Sequence, residues 1–432
     1  MKNENTLNKH RVIVLTDISS LEGGFKEPDD TQSLVRFLLY TNEFEVEGLV
    51  ATYTKHWEDI KPEYIKAVIY EYAKVRENLQ LHDPEFPHEE QLLSCVKSGN
   101  PKCGLDQVGA GKDTEGSDWI ISVLDKPDPR LVWILVWGGP TDLAQALWKI
   151  SSTRSEQEAK DFISKIRVYA IGDQYDTTGQ FIKENYKDLF YITSHKTHRG
   201  MYRGGNTQLT SCEWLEEHIC KNHGSLGEVY PIYNGGDPWG KVYGVKEGDT
   251  PSFLYLVKNG LGDPMNPSWG SWGGRFKGNG CHFTDAEDKV LEESSVIATV
   301  FRWRDAYQAD FQGRMDWCLK SYKEANHPPV SVISSETVLS VLPGTLVKLN
   351  ASESYDPDGD NIFYSWNIYN EAGSFQGEIS ITNSNSSEAE FIAPSVDTTA
   401  EIHVILTVTD NGTPPLSSYK RVIVKVSPES EI

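Results

Sequence analysis

Apolar and polar positions along the first three-quarters of the chain alternate between two kinds of segment. Short apolar runs with strand character occur at 11–17, 46–53, 131–137, 166–172 and 188–193. Segments with helical periodicity lie between many of them, at 30–41, 61–80, 117–126 and 142–152. Strands that alternate with helices predict an α/β fold, with a mostly parallel sheet and helices on both faces. Ligands bind such sheets outside the carboxyl ends of the strands.

A different pattern begins after the Asn-His-Pro-Pro stretch at 326–329, which has the composition of a linker. Beyond it, Ser, Thr, Val and Ile alternate with a period of two, as in 345–349 and 402–408. Short alternating strands separated by polar turns predict an antiparallel, Ig-like β-sandwich. The chain is therefore predicted to contain two domains, residues 1–325 and 326–432.

The stretch 195–280 has weak periodicity and is rich in Gly, Trp, Tyr and Asn, which is typical of long functional loops. Trp272 and Arg275 lie in a run of tryptophans and glycines within it. That run is consistent either with an aromatic platform for a sugar ring or base, or with core packing around a tight turn. A helix is predicted over 296–320, and Asp310 lies beside its apolar stripe.

Acidic residues occur where the first predicted strand ends and the next helix begins. Asp17 closes the first apolar run, and Asp29 and Asp30 open the following segment. Three carboxylates this close repel one another, unless a cation or a polar ligand lies between them. The alternative is that Asp30 caps the helix and Asp17 is a solvated loop residue. Polar, acidic and glycine residues also follow the next strands, at 52–57, 138–142 and 172–173.

Charge and composition exclude several classes of partner. The chain has 41 basic and 63 acidic residues, a formal net charge of -22, so nucleic acid and anionic membranes are not expected partners. No apolar stretch approaches the roughly 20 residues of a membrane-spanning helix. The first ten residues are polar and lack the apolar core of a signal peptide. The protein is thus either cytosolic, or a signal peptide has been removed from this sequence.

Six cysteines are scattered without a CxxC pair, which argues against a zinc site. Cys95 and Cys103 flank a turn-rich stretch across which they could meet. Cys212 and Cys220 flank a segment that is predicted to be helical, which would hold them about 12 Å apart, too far for a disulfide. Free thiols at all six positions are the alternative.

The acidic cluster and the turn at 138–144 together resemble the nucleoside hydrolase family. Asp17 matches the first aspartate of that family's acidic motif, and Asp29 and Asp30 match its closing pair. The turn Gly-Gly-Pro-Thr-Asp-Leu-Ala resembles a second family element, in which a threonine carbonyl binds calcium. The resemblance therefore implies Ca²⁺ as a cofactor, held by Asp17, Asp30 and Thr141.

The chain departs from that motif in three ways. Ser19 replaces the second aspartate, residues 20–25 lengthen the acidic loop, and the usual His-Asp pair near the end of the domain is not evident. Asp310 is the expected last metal carboxylate.

Longer strings at 244–255, 272–276 and 314–317 resemble the DUF1593 family over nearly the whole chain. These proteins are nucleoside-hydrolase-like, usually secreted by bacteria and sometimes labelled cellulose-binding. The Asp-Pro-Asp-Gly-Asp turn at 356–360 resembles PKD or cadherin-like modules. Such modules are typical of exported carbohydrate-active proteins, so the resemblance implies a secreted, periplasmic or cell-surface location.

The expected function is calcium-dependent hydrolysis of a glycosidic bond, in a glycan-derived sugar such as a furanoside or in an N-riboside. Asp17 would accept the proton of the attacking water and Asp29 would bind a sugar hydroxyl, with inversion by family analogy. The alternative is a non-catalytic carbohydrate-binding protein on the same fold. A homo-oligomer is compatible with the sequence. The expected substrate-binding residues are His56, Trp57, Asp173, Asn185, Trp272 and Arg275. The candidates for the leaving-group acid are His56, Asp173, His195 and His198.

Overall fold

The computed structural model describes residues 9–21, 29–53, 59–172, 177–235 and 242–428. The predicted α/β architecture with a following β-domain is confirmed. The strands are β1 His10–Thr16, β2 Phe44–Ala51, β3 Val96–Ser98, β4 Val132–Val136, β5 Ile166–Ile171, β6 Phe190–Ser194, β7 Tyr233–Asn234, β8 Tyr243–Gly244, β9 Phe276–Asn279, β10 His282–Asp285, β11 Asp288–Val290, β12 Glu293–Ser295, β13 Val338–Val341, β14 Leu346–Asn350, β15 Phe363–Ile368, β16 Glu388–Ile392, β17 Ala400–Thr409 and β18 Ser417–Val426.

Helices separate most of the strands in the first domain. They are α1 Asp29–Leu38, α2 Pro62–Ala73, α3 Arg76–His82, α4 Glu89–Ser94, α5 Glu115–Leu124, α6 Thr141–Thr153, α7 Glu156–Ser164, α8 Thr177–Asn185, α9 Cys212–Leu215, α10 Gly224–Glu228, α11 Thr250–Leu254, α12 Ala298–Phe301 and α13 Arg304–Asp316. The helices predicted at 61–80 and 296–320 are each broken into two, as α2 with α3 and α12 with α13. Sequence periodicity continues across such breaks because the same face of both pieces packs on the core.

The main sheet has eight strands in the order β3-β2-β1-β4-β5-β6-β10-β9. All neighbours are parallel except β9, which pairs antiparallel with β10 at the edge. Strand β1 pairs with β2 on one side and β4 on the other, so the order of the strands reverses there. In open α/β sheets, ligands bind at the carboxyl ends of the strands that flank this switch point.

Both faces of the sheet are covered, as the sequence predicts. Alternate residues of β1 enter different apolar clusters, with Val12 and Val14 in one and Ile13 and Leu15 in the other. All four of these side chains are fully buried. Because both faces of β1 are buried, residues at all alternate positions are apolar, and the sequence of the strand is a continuous apolar run.

The C-terminal domain contains one sheet in the order β13-β18-β17-β15 and a second that pairs β14 with β16. Their inner faces share a separate apolar core. The domain packs directly on the first one: the Tyr369 hydroxyl donates to Asp288 Oδ2 over 2.6 Å, and Arg421 donates to the Leu261 carbonyl over 2.7 Å.

All six cysteines are free thiols in this structure. Over the described ranges, no helix is both long and apolar enough to cross a membrane.

Candidate functional site

Two buried carboxyl groups, Asp17 and Asp30, meet at the switch point of the sheet. Asp17 directly follows β1, and Asp30 is the second residue of α1. The backbone N–H of Asp17 donates to the Asp30 carboxyl, the two carboxyl groups hydrogen-bond each other, and the Thr16 hydroxyl donates to Asp30 Oδ1. Their exposed fractions are 4% and 3%, so Asp17 is not a solvated loop residue. Asp30 lies within the helix rather than at its cap.

Burial is the main cause that raises the pKa of Asp30 to about 7, and the neighbouring charge of Asp29 adds to it. A hydrogen bond between two carboxyl groups also requires that one of them holds a proton. The pKa of Asp30 therefore lies close to neutral pH, and strongly perturbed acids of this kind concentrate at functional sites.

The turn after β4 lies against this pair. The N–H groups of Trp137 and Gly138 both donate to the Leu15 carbonyl, at 2.8 and 3.1 Å. A Cβ added to Gly138 would lie 2.7 Å from Asp17 Cβ, so only glycine allows this approach. Thr141, buried at the start of α6, comes three residues later.

Asp142 has a structural role in the same turn. Its carboxyl accepts hydrogen bonds from the Asn100 N–H, the Thr52 hydroxyl and the Thr114 hydroxyl. These contacts tie together the segments that follow β2, β3 and β4.

Asp29 faces a different wall of the site. A Cβ added to Gly248 would lie 3.3 Å from Asp29 Oδ2 and 3.8 Å from His198 Cδ2, so the carboxylate and the imidazole both flank this glycine. Asp29 Oδ1 is buried and accepts no hydrogen bond from the described residues. Burial, with the charge of Arg199, lowers the pKa of His198 to about 3, so this ring is neutral at physiological pH.

The segment that carries Gly248 is held rigidly against α1. Gln32 Oε1 accepts the N–H groups of Lys246 and Glu247, at 2.7 and 3.0 Å. Arg36 pairs with Glu247 over 2.8 Å, and both side chains are fully buried. These long-range contacts position Asp29 and the 246–249 segment as one unit.

Asp249 is a candidate that sequence reasoning missed. It is buried directly before α11, and its carbonyl accepts the Ser252 hydroxyl, which in turn accepts the Trp137 indole N–H over 2.7 Å. Asp249 therefore lies between Gly248 and the turn after β4. In the sequence, an aspartate followed by Thr-Pro indicates the start of a helix, and this pattern could have identified Asp249 as a candidate.

The donor chemistry fits a divalent cation. Asp17 and Asp30 offer oxygen ligands, which Ca²⁺ prefers, and the charge of a cation would favour the ionised form of both carboxyl groups. Asp29 and Asp249 do not bring a third carboxylate close enough: in the described residues, the one group of three ligand side chains within 4.8 Å of each other is the surface group His88, Glu89 and Glu90. A cation at the pair would thus need backbone carbonyls and water to complete its coordination.

Two predicted site residues lie elsewhere. Asp310 accepts hydrogen bonds from the Tyr40 hydroxyl and from Arg314 Nε over 3.0 Å, near the opposite end of α1, so its prediction as a metal ligand is wrong. Asn185 is exposed at the end of α8, before β6 begins, and donates to the Phe181 carbonyl. It therefore lies at the amino edge of the sheet, away from Asp17.

The aromatic platform is also corrected. Trp272 is 2% exposed and its indole N–H donates to the Tyr419 hydroxyl over 3.3 Å, so it packs between the two domains. Arg275 is buried and pairs with Asp288 over 2.7 Å. Core packing is the correct alternative for this run. His56, Trp57 and Asp173 lie outside the described residues, and their predicted roles stay predictions.

Comparisons with known proteins agree with this fold. A family model described as cellulose-binding Sde182, nucleoside hydrolase-like domain, matches residues 11–276, and one described as cellulose-binding protein Sde0182, C-terminal domain, matches 346–426. A nucleoside hydrolase-related hypothetical protein from Saccharophagus degradans, associated with carbohydrate metabolism, has a similar structure. It is 37% identical, covers 97% of this chain and 100% of its own, and has a TM-score of 0.82.

Two further solved structures match about a quarter of the chain. The PKD domain from the KIAA 1837 protein is 25% identical over 24% of this chain and 92% of its own, with a TM-score of 0.19. Protocadherin gamma C5 is 24% identical over 23% of this chain and 33% of its own, with a TM-score of 0.16. No curated protein matches the chain.

Proposed function

Because the chain belongs to the family of cellulose-binding, nucleoside-hydrolase-like proteins, we propose that it hydrolyses a glycosidic bond of a carbohydrate-derived substrate, with calcium at the Asp17–Asp30 pair. The observation that carries this proposal is the pair itself. Two buried acids, of which Asp30 has a pKa raised to about 7, are held in hydrogen-bond contact where the strand order reverses. Burying two acids together is costly for stability, and acids perturbed in this way concentrate at functional sites.

Asp17, Asp30 and the carbonyl of Thr141 are the proposed calcium ligands. Bound calcium would supply positive charge that binds sugar hydroxyls and water in the site. With that charge present both carboxyls are ionised, so Asp17 can accept the proton of a water molecule that attacks the sugar.

Asp29 is proposed to accept a hydrogen bond from a sugar hydroxyl. Its buried Oδ1 accepts none from the described residues, and burial without a donor is costly unless a substrate supplies one. Such a bond would strengthen as positive charge develops on the sugar in the transition state. The pKa of His198, about 3, argues against it as the acid that protonates the leaving group.

Sugar release from ribosides, arabinosides and oligosaccharides tests this proposal. We expect calcium-dependent turnover of at least one substrate class. Asp17→Asn should reduce the turnover rate by about 10²- to 10⁴-fold, which is the usual effect of losing a general base. Asp161→Asn is the matched control, because Asp161 is an exposed carboxylate on α7. Equal rates in the Asp17 and Asp161 variants would contradict the assignment.

Non-catalytic carbohydrate binding is the second candidate. Ser19 stands where the nucleoside hydrolase motif has an aspartate, and its buried hydroxyl has no hydrogen-bond partner in the described parts of the chain. Both matching family models are also described as cellulose-binding. Calorimetry that shows sugar binding to the wild-type protein, without release of product from any substrate, would favour this candidate.

Export from the cell belongs to the same proposal. Cellulose is an extracellular polymer, and a β-sandwich fixed to the first domain suits a protein that works on such material. The proposed partners are accordingly carbohydrates rather than macromolecules inside the cell.

A further inference from the structure

A basic segment lies beside the site in an otherwise acidic protein. Residues 195–203, directly after β6, contain three cations, Lys196, Arg199 and Arg203. No aspartate or glutamate occurs between Asp188 and Glu213, although the chain has 63 acidic against 41 basic residues. The proposed function does not use these charges.

The cations of this segment are not neutralised internally. Within the part of the chain that the structure describes, the side chains of Lys196, Arg199 and Arg203 form no ion pair. Arg203 lies over the Tyr202 ring, 5.7 Å from its centroid. Asp285 is adjacent, but it accepts backbone N–H groups, those of His195 and Lys196. Unpaired cations at a cleft raise the local concentration of anions.

Tyr202 and Arg203 also line a cavity of about 440 Å³. Its other lining residues are Thr207, Thr210, Ser211, Val242 and Tyr243. The Tyr243 side chain is 55% exposed. A cavity of this size with two tyrosines and several hydroxyls suits a small polar ligand that has an apolar face, as a sugar ring does.

The cavity borders the chain that leads to Gly248, because the carbonyl of its lining residue Thr210 accepts the Val245 N–H over 2.9 Å. Burial raises the pKa of Tyr202 to about 12, while the charge of Lys246 lowers it and the charge of Asp29 raises it. The Tyr202 hydroxyl therefore feels both groups. Asp29 in turn flanks Gly248 together with His198. The cavity therefore lies near the wall of the site that Asp29, His198 and Gly248 form.

We propose that this cavity is a subsite for a sugar unit that carries a carboxylate, as in a uronic acid, next to the bond that is cleaved. Arg203 pairs with the carboxylate, since a guanidinium matches its two oxygens, and Arg199 adds positive charge. The inference rests on the proposed function, because it places the cleaved bond beside Asp29. It narrows the substrate from any glycan to an acidic one.

Calorimetry with two trisaccharides, trigalacturonate and cellotriose, tests this subsite in the full chain. We expect trigalacturonate to bind at least about tenfold more tightly, with an affinity that falls as salt rises, because charge-assisted contacts are screened. Arg203→Gln should remove most of this preference and leave cellotriose binding unchanged, whereas Arg203→Lys should retain part of it. Lys348→Gln is the control, since it removes an exposed charge on β14 in the other domain.

Equal binding of the two trisaccharides, or a preference that Arg203→Gln does not change, would overturn the subsite. This outcome differs from failure of the proposed function. Arg203-dependent binding of trigalacturonate without any sugar release would leave the subsite standing and refute hydrolysis. Turnover of neutral glycans alone would support hydrolysis and refute the subsite.

Discussion

Whether a charged residue belongs to the candidate site depends on its burial and its partners, and not on its position in the sequence alone. Asp17 and Asp30 were predictable because a strand end and a helix start are visible in the local pattern of the chain. Asp310 and Arg275 were not, since their partners Tyr40 and Asp288 come from elsewhere in the chain. A local sequence pattern shows which residues are charged, but it does not show which of those charges are already paired.

His403 gives a prediction for the pH dependence of stability. It is buried between the domains, where Arg421 contacts its Nδ1 over 2.8 Å. Burial and the charge of Arg421 lower its pKa to about 4, below the unfolded value of 6.5. The unfolded state therefore binds more protons between these values, so stability is lost as the pH falls from about 6.5 toward 4.

Urea unfolding at several pH values checks this. Between pH 6.5 and 4.5, His403 should cost the wild type up to roughly 2 kcal/mol of unfolding free energy. His403→Gln should not show this part of the decrease. His88→Gln, at an exposed histidine, should leave the dependence unchanged. Identical pH profiles for wild type and His403→Gln would show that this group is not responsible.

At the scale of elements, three segments build the site: the end of β1, the start of α1 and the turn after β4. Their existence followed from alternating apolar runs and helical periodicity. The 246–249 segment was not predicted as a wall of the site, because it is held by Gln32 and Arg36 rather than by any repeating pattern. Such side-chain contacts to the backbone of distant loops leave no periodic signal.

Gly138→Ala tests the close approach between β1 and the turn after β4. The new methyl group would lie 2.7 Å from Asp17 Cβ, so the turn must move away from the pair. We expect about tenfold weaker calcium binding and a cost of about 1–3 kcal/mol in stability from overpacking. Circular dichroism should confirm that the fold is retained.

Gly313→Ala is the matched control. A Cβ there meets nothing closer than 3.4 Å, within a regular stretch of α13. It should bind calcium like the wild type and be as stable or slightly more so, since alanine favours a helix. Unchanged calcium affinity in Gly138→Ala would mean that Asp17 does not contribute to the site as described.

At the scale of the whole molecule, both domain types were predictable, but their docking was not. The interface uses Trp272, Arg421 and Tyr369, which sequence reasoning assigned to other roles or to none. Sheet order is likewise invisible in a sequence, yet it brings β1 beside β4. The candidate site is thus a property of topology, and only its separate carboxylates are evident in the sequence.

Calcium titration calorimetry tests the central claim most directly. Wild type and Asp161→Asn should bind one Ca²⁺ with equal affinity, and Asp17→Asn and Asp30→Asn should each lose measurable binding while remaining folded. Calcium binding that persists in both site variants, or no binding to the wild type, would contradict a metal site at the switch point of the sheet.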